Sequence, residues 1–302
     1  MGNNNSSLSH KNIKTELDKE IDNKTTDLEE EKELKLKYVI PKSDEAIDIT
    51  HTFHFFQRYL FQSNFSSPIK ERLTQEKCKV LDIGCGPGTW LLELANQYEN
   101  TLFYGIENNL IYPNEIKPGN LNFIKADMFD GFPFPDNEFD FVRQGLMSFI
   151  KPDQLSVIIS EMIRVTKPGG YIELLESRND FKESGPVVRK LNEAHYLHCL
   201  NKEVDLKKLP NLDNIIKSNQ NTPIVYKDEK FYVLGPNGGN IGMVFQDIYV
   251  GFHNSKLTVE YLSSVLGISK EEYKIMISKD LIEELKQTSP EYSLIRFWAK
   301  KN

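Results

Sequence analysis

The residues best suited to chemistry lie in one short stretch, Val80-Leu81-Asp82-Ile83-Gly84-Cys85-Gly86-Pro87-Gly88-Thr89-Trp90. An apolar run enters a turn with glycine at every second position, and a helix-forming run follows. Glycines permit a sharp turn and let a ligand come close to the backbone. Such a loop does not name its ligand by itself, because dinucleotide enzymes use one too. The spacing discriminates. A dinucleotide fingerprint reads G-x-G-x-x-G, whereas Gly84 and Gly86 are followed by Thr89 where the third glycine belongs. The Gly-Lys-Ser/Thr ending of a phosphate loop is missing as well. Asp82, two residues ahead of Gly84, suits a ligand carrying an ammonium group better than a pyrophosphate. Glu107 and Asp127 follow the next two apolar runs. A single loop carboxylate is ordinarily just solvated. Carboxylates at consecutive strand ends point to a site.

Such positions need a scaffold that brings strand ends together. Lys79–Ile83, Leu102–Ile106, Leu121–Ala126, Phe139–Arg143 and Tyr171–Leu175 read as strands. Thr89–Gln97 and Leu155–Thr166 read as helices, the second with Leu155, Ile158, Ile159, Met162 and Ile163 on one face. Lys167-Pro168-Gly169-Gly170 breaks that helix before the fifth strand. Strands alternating with helices predict βαβ units in a doubly wound, parallel sheet. Ligands bind such sheets beyond the carboxyl ends of the strands. After Glu176 the pattern loosens. Pro186–Leu200, Leu212–Ser218, Gln246–His253, Leu257–Val265, Lys270–Ile277 and Lys279–Lys286 read as helices, and Lys230–Leu234 and Tyr292–Ala299 as strands. Thr52–Gln62 carries Phe53, Phe55, Phe56, Tyr59 and Phe61 at helical spacing, which predicts an amphipathic helix packed into the core.

Taken in order, these features resemble the class I S-adenosylmethionine-dependent methyltransferases over residues 79–175. The carrying residues are Val80–Gly88, Glu107 after Phe103-Tyr104-Gly105-Ile106, Ala126-Asp127-Met128, and Phe139-Asp140-Phe141-Val142 followed by Val165-Thr166-Lys167-Pro168-Gly169-Gly170-Tyr171. The resemblance implies a seven-stranded, mostly parallel Rossmann-like α/β sheet with helical additions capping the pocket. It implies S-adenosyl-L-methionine as cofactor. The backbone of Gly84, Cys85, Gly86 and Gly88 would cradle the methionine part, and Asp82 would favour its ammonium directly or through water. Glu107, with Asn108 beside it, would take the ribose diol on its two oxygens. Asp127 would accept from the adenine amine, the Met128 N–H would donate to the ring, and Gln144 would line the pocket near the methyl. Methyl transfer from a sulfonium needs mainly proximity and orientation, so the resemblance nominates no catalytic base.

Over residues 40–300 the chain is similar to fungal methyltransferases that resemble regulators of secondary metabolism. Asn64-Phe65-Ser66-Ser67-Pro68-Ile69, Phe132-Pro133-Phe134-Pro135-Asp136, Leu234-Gly235 with Gly238-Gly239-Asn240-Ile241-Gly242, and Arg296-Phe297 carry this. Such proteins often have Asp-Arg ahead of the aromatic helix. Here Asp48 is followed by Ile49, which would alter binding or lower activity. The resemblance makes Lys230–Leu234 and Tyr292–Ala299 an antiparallel edge pair, with the intervening helices and the aromatic helix covering the pocket.

Composition limits the partners. The chain of 302 residues carries a net charge of −7 without a dense basic cluster, which argues against nucleic acid. Arg143-Gln144-Gly145-Leu146 stands where enzymes methylating nucleobase amino groups often carry Asn/Asp-Pro-Pro-Tyr/Phe. A small-molecule substrate is expected. Cys78, Cys85 and Cys199 are few and odd in number, which fits a reducing cytoplasmic or nuclear setting. His195, His198 and Cys199 share one helix face, but no fourth metal ligand accompanies them, so packing is the expected role. Residues 1–37 are polar and read as a disordered tail ahead of a domain over 38–302, whose cofactor-binding core spans about 75–176. Met1-Gly2-Asn3-Asn4-Asn5-Ser6 fits the N-myristoylation pattern at Gly2. One acyl chain gives only reversible membrane association, and seven tail lysines against nine acidic residues add no second anchor. Oligomeric state is not legible. Two functional readings stand: an active methyltransferase, or a cofactor-binding regulatory protein acting through partners. A nicotinamide dehydrogenase is disfavoured by Thr89.

Overall fold

The computed structural model describes residues 43–146, 150–178, 183–207 and 212–302. The tail at 1–37 and Gly2 lie outside these residues. Seven strands form one sheet: β1 (Lys79–Ile83), β2 (Leu102–Glu107), β3 (Leu121–Lys125), β4 (Phe139–Gln144), β5 (Thr166–Arg178), β6 (Val225–Val233) and β7 (Glu291–Lys300). Their order is β3-β2-β1-β4-β5-β7-β6. The first five run parallel, and β7 is antiparallel to both β5 and β6. This is the Rossmann-like α/β methyltransferase fold, with the expected antiparallel pair at one edge. The helices are α1 (Asp44–Phe61), α2 (Lys70–Gln75), α3 (Thr89–Gln97), α4 (Pro152–Val165), α5 (Pro186–Asn201), α6 (Leu212–Lys217), α7 (Gly239–Asn254), α8 (Lys256–Leu266), α9 (Lys270–Ile275) and α10 (Leu281–Leu285). No helix among the described residues is long and apolar enough to cross a membrane.

Both sheet faces are covered, so the central strands read as apolar runs rather than alternating ones. Leu81, Ile83, Val142, Ile172 and Leu174 face α4 and its neighbours. Val80, Phe103 and Phe141 pack with Trp90, Leu91 and Leu94 of α3. A third core lies under the C-terminal helices and takes in Phe56 and Phe61 of α1.

Several elements differ from the sequence expectation, among them β6, which starts at Val225 rather than Lys230, and α7, which starts at Gly239 rather than Gln246. The expected break at Lys167-Pro168-Gly169-Gly170 is a bulge inside the 13-residue β5: Thr166 already pairs with Phe139, and the register shifts before Phe141 meets Tyr171. The two helices expected over Lys270–Lys286 are joined through a π-helical segment, Met276–Asp280, which needs no breaking residue. The aromatic helix begins eight residues earlier than expected, at Asp44, because Ser43 caps it by accepting from the Ala46 N–H. Its aromatic face is split. Phe56 stacks on Phe245 and meets Tyr232 edge to face in the core, whereas Phe55 is 50% and Tyr59 63% exposed.

The C-terminal core buries histidines. The His253 ring lies 2.8 Å from the Tyr273 hydroxyl and the His195 ring 2.9 Å from that of Tyr261, while His198 stacks on Tyr261. Burial pushes His253 down to about 3 and His195 down to about 4 from 6.5, and neighbouring histidines push the same way. A base whose folded pKa is depressed gives stability that is full above its unfolded pKa and is lost as pH falls. Unfolding free energy should therefore hold above pH 6.5 and drop toward pH 5 by about 2 kcal/mol per histidine. Urea melts across that range check this, and His253→Gln should flatten the drop.

Candidate functional site

The sheet order brings the carboxyl ends of β2, β1 and β4 side by side. β1 ends in the glycine turn. Gly84, Gly86 and Gly88 all hold positive φ, at 61°, 55° and 77°. Gly88 cannot take another residue comfortably: a Cβ there would sit 2.4 Å from Phe123 Cζ. The Cys85 N–H donates to the Ile106 carbonyl at 3.1 Å, which fastens the turn to β2.

Glu107 closes β2 and is 8% exposed. Its Oε2 accepts the Gly86 N–H at 3.1 Å and its Oε1 accepts the Asn109 N–H at 2.9 Å. Each oxygen keeps one lone pair. Asp127 follows β3 and caps a short 3-10 turn, Met128–Asp130, accepting from the Phe129 N–H at 3.0 Å. The exposed Asn108 donates toward its other oxygen at 3.4 Å, so the two loops touch. Gln144 ends β4. Its Nε2 lies 3.5 Å from Met128 Sδ, while its buried Oε1 has no partner among the described residues. Met128 reaches the glycine turn, with its Cε 3.0 Å from where a Gly84 Cβ would stand. Glu107 and Met128 thus touch the turn, Gln144 touches Met128, and Asn108 touches Asp127.

Asp82 is placed differently from a free ammonium partner. It is 2% exposed, and Arg143 Nη1 donates to its Oδ1 at 2.8 Å. Burial raises its pKa, and Arg143 opposes the rise. Cys85 is closed in as well. Its sulfur lies 2.7 Å from where a Gly105 Cβ would stand. Burial, with the Asp82 and Glu107 carboxylates adding, pushes its thiol far up.

Sequence reasoning missed Arg143 and His51. Arg143 interrupts an apolar strand, which was the available signal. Its guanidinium also lies 4.6 Å from the Trp90 ring. His51 of α1 approaches Thr89 Oγ1 at 2.6 Å through Nδ1. An open groove of about 600 Å³ runs beside it, lined by Ile47, Pro87, Leu92, Leu110 and Tyr112. Ile49, where the fungal proteins often carry arginine, packs in the C-terminal core, its Cδ1 2.8 Å from where a Gly251 Cβ would stand. An arginine at 49 in this orientation would lie half-buried against apolar groups.

A turn of positive-φ glycines, a carboxylate with spare lone pairs and an amide oxygen without a partner among the described residues form a cradle for a ligand rich in N–H and O–H groups. A buried acceptor without a partner costs about 1–3 kcal/mol, and a bound donor relieves that cost. These features fit an adenosyl amino acid.

Residues 80–170 match the methyltransferase-domain family. A demethylmenaquinone methyltransferase of Anoxybacillus flavithermus is 29% identical over 57% of this chain and 71% of its own length. One from Geobacillus kaustophilus is also 29% identical, over 57% of this chain and 72% of its own. Among solved structures, phosphoethanolamine N-methyltransferase 2 of Haemonchus contortus, in complex with phosphomonomethylethanolamine and S-adenosylhomocysteine, is 18% identical. It covers 87% of this chain and 60% of its own, with a TM-score of 0.46.

Replacing Gly88 by alanine tests the turn. The overlap with Phe123 and the positive φ should lower unfolding free energy by about 2 kcal/mol. A urea melt unchanged from wild type would contradict the close approach. The strand order and the match over residues 80–170 agree on a Rossmann-like methyltransferase fold around the glycine turn.

Proposed function

We propose that this chain transfers a methyl group from S-adenosylmethionine to a small-molecule acceptor. One observation carries the reading: Glu107 is fixed by two backbone N–H groups at the edge of the glycine turn, with a lone pair left on each oxygen. Two oxygens on one carboxylate match two adjacent ribose hydroxyls. The turn backbone would hold the methionine part, Asp127 and Met128 the adenine, and Gln144 Oε1 a donor near the methyl. Asp82 would meet the ammonium only through the oxygen that Arg143 leaves open, directly or through water.

The bound sulfonium supplies an activated methyl group. An acceptor lone pair would take the methyl carbon as the carbon–sulfur bonding pair stays on sulfur, with Gln144 and the turn backbone holding the two in line. Any acceptor proton leaves to solvent or to a base. The protein's contribution is alignment and exclusion of water. The relatives named for demethylmenaquinone support a small molecule as acceptor, and the net charge of −7 is unfavourable for nucleic acid. Within this class we place the chain beside the fungal methyltransferases similar to regulators of secondary metabolism, acting in the cytoplasm or nucleus.

Calorimetry with S-adenosylmethionine tests the shared step. The wild type should bind. Glu107→Ala should weaken binding by about 10- to 100-fold, a net loss of about 1.5–3 kcal/mol once water replaces the carboxylate. Asp127→Ala should weaken it about tenfold. S-adenosylhomocysteine should accumulate when a metabolite extract is supplied. A wild type that binds no cofactor would overturn the proposal.

A further inference from the structure

A row of alternating charge crosses one face of the sheet. Asp82 on β1 is in register with Arg143 on β4, and Arg143 with Glu173 on β5. Arg296 on β7 approaches Glu173 at 3.7 Å and is in register with Asp228 on β6. Asp82, Arg143, Glu173 and Arg296 are all at most 8% exposed. Buried charges persist when paired and hydrogen-bonded, and segment 63–67 supplies such bonds to the β5, β6 and β7 members of the row. Glu173 Oε2 accepts from the Ser66 N–H, the Ser67 N–H and the Ser67 hydroxyl at 2.7–2.9 Å. Asp228 accepts from the Ser66 hydroxyl at 2.8 Å, and Arg296 donates to the Ser63 carbonyl at 3.0 Å.

Arg143 has a second contact that the row does not require. Its guanidinium lies 4.6 Å from the ring of Trp90, and the Trp90 indole N–H donates to the Asn64 carbonyl at 2.9 Å. Asp82 stands two residues before Gly84, and Trp90 two residues after Gly88. One side chain from the neighbouring strand therefore touches both stems of the glycine turn. The stem on α3 is in turn bonded to the segment that satisfies the charge row.

We propose that Arg143 is a positioning residue for the cofactor loop: it clamps Asp82 and Trp90 together and ties the turn at 84–88 to segment 63–67. The three glycines need this constraint, because glycine loses more conformational freedom on ordering than any other residue. The proposal rests on the reading of that turn as the cofactor site. Guanidinium also suits the task better than ammonium, since its planar face stacks on an aromatic ring while its edge donates.

Cys85 within the turn reports loop order without any cofactor, and the buried Cys78 and Cys199 report global opening. Alkylation of each thiol by iodoacetamide, followed by peptide mapping, should show Cys85 reacting on the order of tenfold faster in Arg143→Met, with Cys78 and Cys199 unchanged. Arg143→Lys keeps the charge but not the stacking, so its Cys85 rate should fall between the two. Binding of S-adenosylmethionine should weaken in the same order. An unchanged Cys85 rate in both variants would overturn the proposal. So would equal acceleration of all three thiols in Arg143→Lys, which would mark Arg143 as merely structural. A wild type that fails to bind S-adenosylmethionine would refute the cofactor reading, while the alkylation rates would still decide whether Arg143 orders the turn.

Discussion

A chain that leaves β1 and returns as β2 on one side, then enters β4 on the other, must open a crevice at the carboxyl end of β1. No side chain creates that crevice. It follows from strand order and from parallel connections that cross over one way. Every residue of the candidate site is placed by it. The glycine turn fills the mouth of β1, Glu107 and Asp127 arrive from β2 and β3, and Gln144 arrives from β4. The close packing of Gly88 on Phe123 then fixes how tightly the turn folds back over β2 and β3.

The second constraint is electrostatic. The sheet face beneath α1 and α3 carries buried charges where an apolar row would have been simpler. Burying ions is unfavourable unless each finds a partner and its remaining hydrogen bonds. Here the partners come from neighbouring strands, and segment 63–67 adds hydrogen bonds to Glu173, Asp228 and Arg296, so covering that part of the sheet and satisfying its charges are coupled. His54, Arg58 and Asn64 converge in the same way on Glu93 of α3. Burial lowers the His54 pKa, although its hydrogen bond to Glu93 opposes this. The stability of the cofactor side of the molecule thus depends on groups outside the cofactor site.

Much of this was legible in the sequence because it is local. The positions of Gly84, Gly86 and Gly88 relative to an apolar run fix a turn. The spacing of Glu107 and Asp127 places them at strand ends, and alternation of strands and helices gives the sheet. What escaped is non-local. Arg143 pairs with Asp82 across 61 positions, and Glu173 bonds to Ser66 and Ser67 across more than a hundred. No periodicity within one element records such a pairing. Asp82 illustrates the point: its position suggests a carboxylate near the ligand, and nothing around it in the sequence announces its pairing with a buried arginine. Ile49 is the converse, a departure from relatives that looks functional in sequence and packs into an apolar core in the fold. The bulge at 166–170 and the π-helical segment at 276–280 escaped for a simpler reason, since proline, glycine and serine mark interruptions without saying how tertiary packing bridges them.

Hydrogen exchange of the full chain with and without S-adenosylmethionine tests the account most directly, because it reads each segment separately. The account predicts slowed exchange at residues 84–88, 107–109, 126–129 and 144, the four places that the crevice brings together. Protection confined to other segments, or none at saturating ligand, would contradict it.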